Sequence, residues 1–357
     1  MEIISGITPP YVFLPIIGKH NVYAGPSLVS PQVIEIYTDP KRWLGLDARS
    51  ILRIRMQGVG AFRPVNPARD VSDPSIEKLR EIALYTGNVT VELEMKKSRP
   101  TMLYDAFAEA TYGGGSLERI LYYTGGKADR RIEKAYSDRD LKAKEAVLYL
   151  ESSGINVYKV QQLLSVGALG RERRLVPTRW SITAVDSITS SYYIERIREL
   201  KELDSCLLGE SYTVGNRIIV MLMPGKFYYE MLESWGPYYG NRDPEVAMDY
   251  EGFLGRTTYA EEVEGAYYAA RYSVSKYLYS IGRQARTIVL LEVDRNWIPR
   301  LGVWRVREGT ELALKNLRRF ESEDEMIRYA LSRTYTSARS WLRSSFALRQ
   351  MSLERFM

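Results

Sequence analysis

The residues best suited to binding chemistry lie in one short run, Gly170-Arg171-Glu172-Arg173-Arg174-Leu175-Val176-Pro177-Thr178-Arg179-Trp180, with four arginines inside nine residues. Guanidinium forks bind phosphate bidentately, and flanking Gly and Pro hold the segment out of regular helix. Trp180 offers a flat face, for a nucleobase or for core packing. The run reads equally as a nucleic-acid-binding loop through Arg171, Arg173, Arg174, Arg179 and Trp180, and as a solvated loop with salt bridges to Glu172 or Asp186.

A second polar knot is Asp249-Tyr250-Glu251-Gly252-Phe253-Leu254-Gly255-Arg256-Thr257-Thr258-Tyr259. Asp249 and Glu251, with Arg256 nearby, suit acid–base work or a metal, with Asp186 and Glu292 as distant carboxylates. Structural ion pairing through Arg256 fits the same residues. No ligand spacing points to a metal, and no cofactor is expected. The glycine runs Gly113-Gly114-Gly115-Ser116 and Gly125-Gly126-Lys127 lack P-loop spacing and read as turns. Among 27 tyrosines, most are expected in packing; Tyr238-Tyr239, in a loop-like stretch, is the pair best placed to stack on a base.

The chain closes on Gln350-Met351-Ser352-Leu353-Glu354-Arg355-Phe356-Met357. Gln, an aliphatic at +3 and an aromatic at +6 match the pattern of sliding-clamp-binding (PIP-box-like) peptides. Leu353 and Phe356 eclipse on a 3₁₀ turn and make one apolar plug, with Gln350 as polar anchor. Met357 replaces the usual final aromatic. The alternative is a terminal helix tucked onto its own domain, continuing from Trp341 and Leu342.

Composition narrows the chemistry. The 357 residues carry 50 Lys and Arg against 44 Asp and Glu, a net +6 that permits an acidic partner without marking a strongly basic protein. One cysteine, Cys206, excludes an internal disulfide and a Cys-rich zinc module; one histidine, His20, excludes HExxH zinc chemistry and leaves carboxylates, Tyr and Lys to carry most acid–base work. No apolar run is long enough to span a bilayer, and Glu2 with Pro9, Pro10 and Pro15 argues against a signal peptide, so a cytoplasmic location is expected.

These residues need elements to hold them. The proline-rich first seventy residues read as an extended wrapping segment with short strands. Asp73-Pro74 opens a helix to Tyr85, and Val89–Met95 alternates as a half-buried strand. A helix is expected from Met102, a break at Gly113–Gly115, a helix from Ser137 to Ser152 and another from Val157 to Val166. A strand at Ser181–Val185 and a helix from Thr189 to Leu203 follow, then a hairpin of Asn216–Met223 and Lys226–Met231 about Pro224-Gly225. Beyond a boundary near residue 240 come a helix over Ala260–Ile281, strands at Thr287–Val293 and Gly302–Arg307, and a helix capped by Ser322 and Glu325. This alternation gives a mixed α/β or α+β fold.

The string RERRLVPTRWSITAVD, Arg171 to Asp186, resembles the Nre family of archaeal DNA-repair proteins. The likeness continues through Ser5-Gly6 to Pro9-Pro10, NVYAGP at Asn21–Pro26, DYEGFLGRTTYA at Asp249–Ala260, GAYYAAR at Gly265–Arg271 and LGVWRVRE at Leu301–Glu308. It implies a DNA-repair role, hence a nucleoid-associated location, and a clamp-interaction motif, with Gln350, Leu353 and Phe356 at the matching positions. Many members begin with a Cys-rich, zinc-binding segment that has no counterpart here. The expected organisation is a large N-terminal Nre-like domain (1–240), a smaller C-terminal α+β domain packed on it (241–345) and a clamp-binding tail (346–357). The expected function is DNA binding with recruitment by the sliding clamp, with DNA, the clamp and other repair proteins as partners and no membrane. The alternative is an enzyme acting on damaged nucleic acid or a nucleotide through Asp249, Glu251 and Arg256.

Overall fold

The computed structural model describes residues 1–17, 21–96, 101–104, 110–235, 244–294 and 301–353. The chain divides into two compact units, Met1–Thr189 with Arg300–Gly302, and Ser190–Pro299 with Val303–Met357. Both mix strands and helices, so the fold is mixed α/β with one sheet in each unit.

The first unit holds strands β1 (Glu2–Thr8), β2 (Val12–Phe13), β3 (Ile16–Ile17), β4 (Asn21–Val29), β5 (Gly58–Val65), β6 (Val89–Lys96), β7 (Thr101–Tyr104) and β8 (Ala110–Gly125). Its helices are α1 (Ile34–Tyr37), α2 (Ala48–Met56), α3 (Pro74–Leu84), α4 (Arg130–Ser137), α5 (Ala143–Ser152), α6 (Val157–Ser165) and the start of α7 (Thr178–Ile197). The sheet runs β1-β6-β8-β5-β4-β2, with β3 on β4 and β7 on β8; among the described residues only β5–β8 is parallel. In β6, Val89, Val91, Leu93 and Met95 are buried and the residues between them are not, the signature of a strand with one covered face. The α3 N-terminus is fixed as its sequence requires: the Asp73 carboxylate accepts from Ser75 N at 2.7 Å, Pro74 occupies the first turn, and Ile76, Leu79, Ile82 and Ala83 face the core.

The second unit holds β9 (Cys206–Thr213), β10 (Asn216–Met223), β11 (Tyr228–Trp235), β12 (Val246–Glu251), β13 (Arg286–Val293) and β14 (Leu317–Phe320), with α8 (Gly265–Ser280), α9 (Trp304–Lys315), α10 (Glu323–Ser332), α11 (Ala338–Ser344) and α12 (Phe346–Leu353). Its sheet runs β12-β11-β13-β10-β9-β14, with β11–β13 the one parallel pair among the described residues. Ile218, Val220 and Leu222 of β10 join Tyr267, Ala270 and Val274 of α8 in one core cluster. Ile219, Met221 and Met223 join Met326, Trp341 and Leu348 in another. Covering on both faces explains the unbroken apolar run of β10.

Several expected elements differ. Met102 lies in strand β7, and Gly113 lies inside β8, paired with Gly60 of β5 and Thr101 of β7. Glycines that read as punctuation are recruited by partners distant in sequence. Ser137 ends α4 instead of opening a helix; Asp138 follows it and accepts from Asp140 N and Leu141 N, organising the turn into α5. Ser181–Val185 is helical within α7, where Ser181 Oγ donates to Thr178 O and Thr183 Oγ1 to Arg179 O, so the hydroxyls are satisfied inside the helix. Trp304–Arg307 is the first turn of α9. β10 and β11 are not a hairpin, because β13 lies between them. β11 and β12, on either side of residue 240, pair antiparallel in one sheet.

Candidate nucleic-acid interface

The arginine run leaves α6 through two left-handed glycines, Gly167 (φ +67°) and Gly170 (φ +86°). Both are required: a Cβ on Gly167 would sit 2.3 Å from the Arg173 carbonyl oxygen, and one on Gly170 would sit 2.9 Å from the Ala143 Cβ. The run returns beside its origin, with Val176 N donating to Ser165 O at 2.8 Å and Ser165 Oγ to Val176 O at 2.8 Å. Thr178 then pins it to β2's exit: its Oγ1 accepts from Leu14 N at 2.9 Å and its N donates to Leu14 O at 3.0 Å. Leu175 is buried beneath.

On this pinned loop the four arginines separate. Arg171 and Arg174 are exposed. Arg171 Nε donates to Asp140 O at 2.7 Å, and Arg174 pairs with Glu172 at 2.6 Å, with both partners about 70% exposed. An exposed pair of this kind is screened and holds its arginine only weakly. Arg179 is half-buried, with its guanidinium 5.8 Å from the ring of Trp180, and Trp180 is 55% exposed.

Arg173 corrects the expectation. It is buried, sits at φ +51°, and donates to the carbonyls of Ala168 and Tyr136, with its guanidinium 4.5 Å from the Tyr136 ring. Burial, with the nearby Arg139 and Arg80 charges, lowers its pKa. Its own carbonyl accepts from Arg80 Nη2 at 3.0 Å, and Arg80 Nε donates to Val166 O at 2.9 Å. Two buried guanidiniums therefore hold the loop's shape, and Arg173 is withdrawn from the phosphate-binding set. Arg80, which also pairs with Glu77 at 2.6 Å, went unread in the sequence because nothing local in α3 sets it apart from an ordinary surface arginine. Asp186 is also buried and accepts from Gln161 Nε2 at 3.2 Å.

The second knot is structural. Asp249 accepts from Arg256 Nη2 at 2.8 Å, Glu262 N at 3.0 Å and Val263 N at 2.9 Å. Glu251, 1% exposed, is gripped by Nε and Nη2 of Arg271 and accepts from the Tyr267 hydroxyl at 3.3 Å. Arg271 Nη1 donates in turn to Ser190 Oγ at 2.6 Å. Burial works to lower the Arg271 pKa, but the Glu251 carboxylate outweighs it and the pKa is raised. Arg256 also donates to the carbonyls of Tyr250, Thr258 and Tyr259. Asp249, Glu251 and Arg256, the candidate residues of the alternative enzyme reading, are thus engaged in fixing the loop after β12, the arrangement the ion-pairing reading describes. Glu292 is likewise engaged, accepting from Tyr335 N at 3.0 Å and Thr336 N at 2.6 Å. Among the described residues no group of three or more His, Cys, Asp or Glu side chains converges to hold a metal.

Of the tyrosine pairs, Tyr229, Tyr267 and Tyr268 are buried in edge-to-face contacts at 5.0 and 5.3 Å and belong to the core. Tyr238, Tyr239 and His20 lie outside the described residues. At the C-terminus, α12 is docked on its own unit through buried Leu348 and a bond from Ala347 N to Glu230 Oε2 at 3.0 Å. Gln350 is exposed on this helix, and Leu353 is its last residue. Phe356 and Met357 lie outside the described residues.

The relatives of this chain define its class. The family descriptions "Archaeal Nre, N-terminal" and "Archaeal Nre, C-terminal" match residues 1–239 and 251–356. The DNA repair protein NreB of Archaeoglobus fulgidus is 31% identical over 366 aligned positions, covering 99% of this chain and 92% of that protein. The DNA repair protein NreA of the same organism is 32% identical, covering 91% and 84%. The DNA repair protein NreA of Haloferax volcanii is 35% identical over 70% of this chain and 62% of its own length. No solved structure matches the chain. The chain belongs to the archaeal Nre family. Among the described residues no helix is long and apolar enough to cross a membrane.

Proposed function

We propose that this protein acts in DNA repair, binding DNA through Arg171, Arg174, Arg179 and Trp180 and docking on the sliding clamp through the segment from Gln350 to Met357. The observation that carries the reading is the exposed edge of the pinned loop. Arg171 and Arg174 are exposed, and the 55%-exposed Trp180 follows on the same segment with the Arg179 guanidinium 5.8 Å from its ring, in a family whose relatives are named DNA repair proteins. Arginine forks suit phosphate oxygens, and an indole beside them suits an unstacked base. Three phosphate contacts give a slope of log K against log salt of about −2.7 on duplex DNA.

For the tail, Gln350 and Leu353 supply the first two positions of the clamp pattern, and the exposure of Gln350 leaves it accessible. Docking requires the last turn of α12 to release from Gln350 onward, while Leu348 stays in the core. A short motif of this kind binds near micromolar, about −8 kcal/mol. The test is pulldown by purified sliding clamp of the full chain and of the chain lacking residues 350–357. The full chain is expected to be retained and the shortened one lost; equal retention refutes the docking. Glu251 in a closed ion pair removes the motive for the nucleotide-enzyme alternative.

A further inference from the structure

The turn after β12 presents a feature that neither the arginine loop nor the tail uses. Gly255 N donates to Gly252 O at 2.9 Å, closing a tight turn with Phe253 and Leu254 at its tip and Gly255 at φ +86°. Leu254 is 94% exposed and Phe253 39% exposed. Nothing would meet a Cβ on Gly252 within 4 Å, so the tip stands clear of the protein there. Its base is rigid. Arg256 ties it to the carbonyls of Tyr250, Thr258 and Tyr259 and to the Asp249 carboxylate, and Glu251 below is clamped by Arg271. Two cations from other elements flank the tip. The Arg198 guanidinium, just past α7, is 5.6 Å from the Phe253 ring, and Lys226 Nζ, from the β10–β11 connection, is 5.7 Å from it. Among the described residues neither cation is in an ion pair within 4 Å.

Phe253 and Leu254 together put apolar surface into water at a fixed turn, and covering that surface with a partner's apolar groups is favourable. The flanking charges select a partner that is anionic outside and apolar within. We propose that Phe253 and Leu254 form a wedge that enters a weakened base step of DNA, with Arg198 and Lys226 on the flanking phosphates. This rests on the DNA-binding reading above and deepens it. Apolar side chains driven between base pairs unstack and kink a duplex, and the cost is least at a mismatched or damaged step. Two side chains match the width of one step, whereas lasting attachment to lipid needs a larger apolar face.

The test uses the full chain and a 25-base-pair duplex with one mismatch beside a 2-aminopurine, read by fluorescence emission and by anisotropy over a salt series. Wild type is expected to raise the emission several-fold. Leu254→Ser, at a site too exposed to disturb the fold, is expected to abolish the rise and weaken mismatch binding roughly ten-fold with the salt slope unchanged. Lys226→Ala is expected to keep part of the rise and reduce the slope by about 0.9. Wild-type binding with no emission rise, or a Leu254→Ser protein identical to wild type, overturns the wedge and leaves the arginine loop standing. No DNA binding by wild type overturns both. Retention of wild type but not Leu254→Ser on phosphatidylglycerol vesicles, with the duplex emission unchanged, overturns the wedge in favour of a lipid contact.

Discussion

Replacing Arg173 with alanine separates a residue that shapes the loop from residues that touch DNA. The substitution removes two charged hydrogen bonds, to the carbonyls of Ala168 and Tyr136, and the contact with the Tyr136 ring. Buried charged hydrogen bonds are worth about 1.5–3 kcal/mol each, and a desolvated cation–π contact about 1–2 kcal/mol. Losses in one network are not additive, so the expected cost is about 4 kcal/mol. The left-handed backbone at φ +51° is kept, so no strain is relieved. For a unit of this size each kcal/mol moves the midpoint by about 2–4 °C, which places the loss near 10 °C. Thermal melting followed by near-ultraviolet circular dichroism reads it. The parallel variants Arg171→Ala and Arg174→Ala should melt within about 0.5 kcal/mol of wild type and each reduce the salt slope of DNA binding by about 0.9. An Arg173→Ala protein that melts like wild type yet loses the same slope would refute the assignment of Arg173 to the interior.

Further outcomes follow from other buried groups. Glu251→Ala strands the Arg271 guanidinium in the core and should destabilise the second unit by about 3–5 kcal/mol, read by denaturant titration. Gly167→Ala adds a Cβ 2.3 Å from Arg173 O at φ +67°, and should cost more than the roughly 1–2 kcal/mol of left-handed backbone alone, read by melting. Lys159 Nζ donates to the carbonyls of Pro10 and Tyr85, and burial lowers its pKa to about 7. The unfolded chain holds that proton up to about pH 10, so between pH 7 and about pH 9.5 the unfolded state binds more protons and stability should rise with pH. Lys159→Met should flatten that rise, measured as unfolding free energy against pH. Removal of residues 350–357 should leave the melting midpoint nearly unchanged, because Leu348 remains as the anchor of α12.

Local signals carried much of the architecture. Asp73-Pro74 and Ser322 with Glu325 mark real helix starts because capping is decided within four residues; Ser322 Oγ accepts from Glu325 N at 3.2 Å. The alternation of Val89 to Met95 survives because one face is buried and the other is not. Long-range pairing was not legible. Gly113 follows a pairing with Gly60, and the Pro224-Gly225 turn joins strands that a later segment separates. At the candidate interface the sequence shows four equivalent arginines. Only the fold reveals that Arg173 is drawn inward by carbonyls at 136 and 168, because those acceptors belong to other turns of the chain. The same holds for Glu251, whose partner Arg271 is twenty residues away on α8. The Leu254 tip was in view as letters, but its exposure is a property of the turn that lifts it.

The position of β13 bears on how the molecule can be divided. β10 and β11 are joined by a short turn yet leave between them a slot one strand wide, which residues 286–293 fill. Until those residues are synthesised, two neighbouring strands hold open hydrogen-bonding edges towards each other, an invitation to misregister or to capture a foreign strand. A fragment ending near residue 240, in the interval between the two family matches, keeps that vacancy permanently, while the complementary fragment carries the filler without its frame. The two matched stretches are therefore halves of an interlocked sheet in the second unit, and separately expressed they should recover structure only when mixed.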